Sequence, residues 1–219
     1  MGKVYHQLAG RSLERLCGLS DGLFAIAMTL LVLDLRLPAG LTFAGLTSDA
    51  AREAALWHTV VHLFPELLTS LMSFLTLGIF WVGQQAQLNS FEHTDRDVTW
   101  IHLAFLCAVS LMPGSTLLLG SYIGLKVALF IYWFNIFLLG ALLYASLSYA
   151  KRAKLFKAGI TPELIVGQRR RIVWAQALYA IGAALCLIPG VNTYWSIGFI
   201  ILVQLNYAIA PRIPLLNRL

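Results

Sequence analysis

Three ionisable residues lie in or beside long apolar segments of the chain: Asp21, Glu66 and His102. A carboxylate or imidazole in such a place can pass a proton or bind a cation, and it usually faces a polar interior with a partner. Asp21 has a simpler alternative, because an aspartate in the first turn of a helix is stabilised by the helix dipole. Glu66 also fits the first turn of a helix, where acidic residues are common. His102 also fits a histidine that is packed and hydrogen-bonded in the interior. The residues alone leave both interpretations of Asp21 open.

The residue patterns of enzymes and metal sites are missing from the sequence. There is no Gly-x-Ser-x-Gly, no pair of carboxylates on one helical face and no His/Asp/Glu cluster with metal-ligand spacing. Cys17, Cys107 and Cys186 form no Cys-x-x-Cys pair, so neither a zinc site nor a disulfide framework is indicated. The sequence therefore predicts a protein that is not an enzyme and has no catalytic residue, cofactor or fixed metal.

The composition is that of an integral membrane protein. Hydrophobic residues make up 59% of the chain and charged residues only 12%, whereas soluble domains carry about 25% charged residues. The net charge of +6 does not indicate nucleic-acid binding, because seven of the 16 Lys and Arg residues lie together between Lys151 and Arg171. Basic loops between apolar segments set membrane topology instead.

Apolar segments of about 20 residues predict an all-α bundle of six membrane spans in one domain covering residues 1–219. The predicted spans are 16–37, 62–84, 98–119, 126–149, 171–188 and 193–210. A turn at Pro189-Gly190 separates the last two, and a short outer helix is expected from Ser48, which suits a helix cap.

The first span is the least clear of the six. Only 12 uncharged residues separate Asp21 from Asp34, and the basic residues upstream also fit a signal peptide. No small-x-small cleavage site follows, which favours a retained span with Asp21 inside it.

With the N-terminus in the cytoplasm, 13 Lys and Arg residues fall inside and three outside. This bias predicts a multi-pass protein of the cell membrane with both termini cytoplasmic.

The first span has two different faces at 100° per residue. Leu19, Ile26 and Leu33 follow one another at intervals of seven, and Leu23, Thr29 and Leu30 lie within about 60° of that line. Asp21 points about 140° away from Ile26. A stripe of this kind most often packs against lipid or another helix, so alone it does not indicate a pore.

The segment Arg15-x-x-x-Leu19-Ser20-Asp21 and the apolar run after it resemble the first-helix signature of the transmembrane protein 175 family, the potassium channels of lysosomes and their bacterial and archaeal relatives. The family motif is Arg-x-x-x-Phe-Ser-Asp, so Leu19 replaces a phenylalanine.

The resemblance covers the first three spans and departs from the family at several positions. Trp81, Gln84 and Gln85 stand where relatives have Trp-x-x-His-His, and His102 stands where they often have Asn. The Ser110–Thr116 segment matches their Ser-x-x-Pro-x-Pro-Thr without the second proline. The two glutamines put into doubt any pH response that the relatives build on those histidines.

The resemblance implies a homotetramer of six-helix subunits in which each first helix lines a central pore for potassium and other monovalent cations. Carried over by position, Ile26 would form the tightest ring, Thr29 a polar layer beside it and Leu33 a further aliphatic ring. A permeant potassium ion would pass near Ile26 and Thr29. The whole pore-lining set would be Leu19, Leu23, Ile26, Thr29, Leu30 and Leu33.

The signature residues Arg15, Ser20 and Asp21 would then be structural and face away from the pore. Their expected partners at the cytoplasmic end of neighbouring helices are Trp81, Gln84, Gln85 and His102. The main alternative function is a small secondary transporter or proton-coupled exchanger that uses Asp21 and His102. A membrane enzyme is disfavoured by the missing motifs, and a scaffold subunit stays open.

Overall fold

The computed structural model describes residues 12–33, 35 and 48–209. In these ranges the chain forms helices joined by short loops. Helices form because the segments are long, apolar and almost free of internal proline, and because a membrane requires backbone hydrogen bonds to be satisfied within the segment. The helices are α1 (Leu13–Leu33), α2 (Asp49–His62), α3 (Phe64–Asn89), α4 (Arg96–Ser110), α5 (Met112–Ser121), α6 (Lys126–Ala153), α7 (Pro162–Ala184) and α8 (Thr193–Ile209).

Four segments of this bundle are long and apolar enough to cross a membrane: α1, α3, the α4–α5 pair and α6. Helix α8 is apolar but has only 17 residues. Helix α7 begins at Pro162, inside the segment that the sequence predicted to be a loop, so Arg169, Arg170 and Arg171 are helical. That part of the prediction was wrong, while the count of six spans stays a prediction.

The third predicted span is divided into two helices at Leu111. Helix α4 ends at Ser110, and α5 starts at Met112 with Pro113 in its first turn. Proline has no N–H to donate and its ring clashes with the preceding turn, so it is tolerated at a helix start but breaks a helix interior. The break explains why α4 and α5 make one membrane span but two helices.

The short helix predicted from Ser48 is present as α2, and it is longer than expected, while its outer location stays a prediction. Ser48 caps it by accepting a hydrogen bond from the Ala51 N–H at 3.3 Å, as the sequence indicated. The predicted turn near Pro189 is present as well. Gly190 has φ +85°, a conformation that favours glycine, and the Val191 N–H donates to the Ile188 carbonyl at 3.1 Å.

Two loops pair with each other at the end of the bundle that carries the basic segment between α6 and α7. The Glu92 N–H donates to the Leu155 carbonyl at 2.9 Å, and the Lys157 N–H donates to the Ser90 carbonyl at 3.1 Å. Between them the Phe91 and Phe156 rings meet edge to face, with centroids 5.3 Å apart. This contact fixes the α3–α4 loop to the α6–α7 loop.

A buried polar cluster joins four helices in the middle of the bundle. The Tyr132 hydroxyl of α6 lies 3.2 Å from both Ser73 Oγ and Thr76 Oγ1 of α3. Thr116 of α5 donates to Ser73 Oγ at 2.7 Å, and Gln204 of α8 donates to Thr76 Oγ1 at 2.6 Å. Hydrogen bonds of this kind hold membrane helices together, because lipid supplies no hydrophobic drive for helix association.

Candidate functional site

Helix α1 packs against the rest of the chain along one side only. Its buried residues recur every three or four positions, which places them on one face of a 3.6-residue helix. They contact α3, α4 and α5. The buried set is Leu16, Ser20, Phe24, Ala27 and Leu31.

The aliphatic stripe of α1 lies on the side that the chain leaves uncovered. Ile26 is 59% exposed and Leu33 66% exposed, and Leu19 and Leu30 are also exposed. Leu23 differs from the rest of the predicted set, because it is half-buried and packs against the core. No described residue covers the stripe, which is therefore available to another surface.

Thr29 is the one hydroxyl on the uncovered stripe. Its side chain is exposed, and its O–H donates to the Ile26 carbonyl of the same helix at 2.8 Å. Because the hydroxyl proton is used within the helix, the oxygen keeps its lone pairs for another group. Thr29 can thus offer an acceptor oxygen next to Ile26.

Asp21 is held from α3 by two donors. Trp81 Nε1–H donates to Asp21 Oδ1 at 2.8 Å, and Gln85 Nε2–H donates to the same oxygen at 2.7 Å. Trp81 and Gln85 lie one turn apart on one face of their helix, which is why both reach one carboxylate. These contacts anchor the third turn of α1 to the C-terminal part of α3.

Ser20 starts a second chain of hydrogen bonds that passes through the interior. Its hydroxyl donates to Gln84 Oε1, Gln84 Nε2 lies 3.1 Å from His102 Nδ1, and His102 Nε2 lies 2.9 Å from Ser146 Oγ. All four side chains are fully buried. The chain is satisfied when Gln84 donates to Nδ1 and the imidazole is neutral with its proton on Nε2. It connects α1, α3, α4 and α6.

The structure thus brings together most of the predicted structural residues, in two separate sets of contacts. Arg15 lies exposed outside both sets, and its backbone N–H donates to Ser12 Oγ at 3.3 Å. Ser146 belongs to the second set but was missed by the sequence analysis, because a serine in an apolar helix has no distinguishing pattern.

The ionisable residues weighed as a proton path do not form one cluster. Glu66 lies near Gly120 of α5, at the opposite end of α3 from Asp21. His58 and His62 of α2 contact each other, with their Nε2 atoms 3.3 Å apart. Within the described ranges no three His, Cys, Asp or Glu residues come together as a metal site.

Replacing His102 with alanine is expected to lower the thermal unfolding midpoint of the purified protein. The change removes two hydrogen bonds and leaves buried groups of Gln84 and Ser146 unpaired, at about 1–3 kcal/mol each. The control is His93→Ala, since His93 is exposed. Equal midpoints for the two variants would show that the chain of hydrogen bonds contributes little.

In the described ranges the helix order and the long apolar helices define the class of this protein: a helical protein of the kind that spans a membrane, with the fold of a solved channel. A solved homologue of this kind, a lysosomal potassium-selective channel TMEM175 homologue from Chamaesiphon minutus, matches with a TM-score of 0.73. It covers 92% of this chain and 98% of that chain at 21% identity, a level that shows the fold alone.

Residues 15–113 match the family model described as endosomal/lysosomal potassium channel TMEM175, which confirms the resemblance found in the first helices. A potassium channel of Streptomyces collinus is 33% identical over 104 residues, 48% of this chain and 46% of that protein. A potassium channel of Chamaesiphon minutus is 29% identical over 109 residues, half of each chain. The chain thus spans about half the length of the curated relatives it matches, and these relatives are named as channels, not enzymes.

Proposed function

We propose that the chain is a subunit of a potassium-permeable cation channel in which four copies place α1 around a central axis. The observation that supports this most is the division of α1 into two faces. One face is packed and anchored through Ser20 and Asp21, while Ile26, Thr29 and Leu33 lie uncovered on the other. The names of the similar proteins agree with this function.

The physical basis of the proposed pore is an apolar constriction. Rings of aliphatic side chains gate by dewetting and force a cation to lose part of its hydration shell. Potassium gives up water more readily than sodium, so a constriction at Ile26 favours potassium without a cage of backbone carbonyls. The Thr29 oxygens beside the ring replace lost water ligands.

The proposed location is the cell membrane, with both termini in the cytoplasm. The basis is the bias in the sequence, where 13 Lys and Arg residues fall inside and three outside when the N-terminus is placed in the cytoplasm. The anchored end of α1, where Asp21 meets Trp81, then lies toward the cytoplasm. Ile26 and Leu33 follow at about 8 and 18 Å further along the helix axis.

The test is potassium and sodium flux through purified protein in liposomes. We expect potassium to leave loaded liposomes down its gradient, faster than sodium and without a counter-substrate, and protein-free liposomes are the control. If neither ion moves at any pH or voltage tried, the channel function is wrong. Saturable flux that requires a counter-ion would favour the exchanger instead.

A further inference from the structure

A cleft of about 590 Å³ lies between α3 and the last helices, apart from the α1 stripe. Its walls are the Phe74–Gln87 stretch of α3, Leu143 and Leu147 of α6, the Gln168–Tyr179 stretch of α7, and the end of α8. The volume falls in the range of small-molecule sites, about 300–1,000 Å³. The cleft forms because α7 packs on α6 and α8, while the small residues Gly83 and Ala86 leave space on the facing side of α3.

Three of the side chains around this mostly apolar cleft carry buried polar atoms without partners. Among the described residues, six buried side-chain polar atoms lack a hydrogen-bond partner, and three of them are here: Gln168 Oε1, Gln176 Oε1 and the Tyr179 hydroxyl. Tyr179 is 1% exposed. An unpaired buried polar group costs about 1–3 kcal/mol, and these three side chains are spaced along one wall of the cleft rather than gathered at one point.

The polar residues follow one side of α7 from the end of the bundle inward. Gln168 and Arg171 are three residues apart and share a face. Arg171 lines the cleft and places its guanidinium 5.6 Å from the Tyr207 ring centroid. Gln176 and Tyr179 lie about 8 and 12 Å further along the helix. The Arg171 guanidinium and the Gln168 amide therefore lie at the mouth of the cleft, and Tyr179 lies deeper inside.

The dimensions of the cleft match one leaflet of a bilayer. Its wall on α3 runs from Phe74 to Gln87, about 20 Å, and half of a bilayer with its headgroups measures about 20–22 Å. The mouth lies at the end of the bundle that carries the basic α6–α7 segment, where anionic lipids are attracted.

We propose that this cleft binds an anionic phospholipid with a hydroxylated headgroup. Its phosphate pairs with the Arg171 guanidinium and its headgroup hydroxyl lies beside Gln168, both at the mouth of the cleft. One acyl chain fills the apolar space along Gly83 and Ala86. The binding is separate from ion conduction and is measurable without it.

The test is native mass spectrometry of the full chain in detergent with equal amounts of phosphatidylglycerol and phosphatidylcholine. Phosphatidylglycerol is expected to be retained in preference. Arg171→Gln should weaken its retention about five-fold, the worth of one basic residue at a membrane surface. The matched control is Arg170→Gln, which removes the same charge from a neighbour outside the cleft. If both variants lose the lipid equally, or both lipids are retained equally, the site is wrong.

A second pair of variants tests the apolar part of the cleft. Ala86→Phe fills it and should abolish retention of the lipid, whereas Ala104→Phe, on the exposed side of α4, should not. Thermal unfolding of both variants checks that they fold. If Ala86→Phe instead changes the oligomeric mass and leaves the lipid bound, a second copy of the chain occupies the cleft and the proposal is overturned.

Discussion

Replacing Ile26 with alanine is expected to raise cation flux through the reconstituted protein about ten-fold and to reduce its preference for potassium over sodium. In the proposed tetramer the change removes three carbons from each of four side chains at the constriction. Ten-fold corresponds to a barrier lower by about 1.4 kcal/mol. This is less than the value of about 1.5–3 kcal/mol for transferring a single large aliphatic side chain out of water. Flux of both ions is measured in liposomes.

The matched control for this prediction is Val32→Ala. Val32 is 60% exposed, as Ile26 is 59% exposed, but it lies about 120° away around the helix. Thr29→Val in the same assay removes the acceptor oxygen while keeping the shape of the side chain, and it should lower the potassium-to-sodium ratio. A constriction at Ile26 is contradicted if Ile26→Ala and Val32→Ala have the same flux and the same ratio as the unchanged protein.

Asp21→Ala is expected to abolish most flux and to lower the thermal unfolding midpoint, while Asp21→Asn is expected to keep much of both. Trp81 and Gln85 donate to the same oxygen, Oδ1. An asparagine still presents one carbonyl oxygen to both donors, whereas alanine presents none. Hydrogen bonds to a charged group contribute about 1.5–3 kcal/mol each, so losing the pair releases the first turns of α1.

The same two variants distinguish a channel from a proton-coupled exchanger. An exchanger that moves protons through Asp21 needs a side chain that titrates, and it fails equally with asparagine or alanine. Glu14→Ala is the control, because Glu14 is an exposed acidic residue in the first turn of the same helix. Loss of flux in Asp21→Asn with an unchanged unfolding midpoint would contradict the anchoring role and favour the exchanger.

The sequence predicted those features that depend on local chemistry or on a family motif. It predicted the Ser48 cap and the turn at Pro189-Gly190. It also proposed Trp81, Gln84, Gln85 and His102 as the surroundings of Ser20 and Asp21, and the structure places them there. In each case a residue type with few alternatives, such as a carboxylate in an apolar helix, requires a polar partner nearby.

Other features could not be predicted because they arise from how helices meet. The hydrogen bond between Ser146 and His102 depends on the distance between α6 and α4, and this distance cannot be inferred from either residue type. The same holds for the cleft beside Tyr179, which results from the separation of α3 and α7. The start of α7 at Pro162 was missed because its first turns are polar and basic, a composition that also fits a loop.

The hydrogen bonds of α1 have a consequence for how the protein is made. The partner of Ser20, Gln84, lies 64 residues later in the chain, and Trp81 lies 60 residues after Asp21. During synthesis α1 therefore reaches the membrane before the groups that satisfy its carboxylate exist. An aspartate costs about 2.5–3.5 kcal/mol at the centre of an inserting helix and less toward the end, where Asp21 lies. We expect the nascent α1 to stay at the translocon until α3 emerges, so that the two helices enter the lipid together as a hairpin.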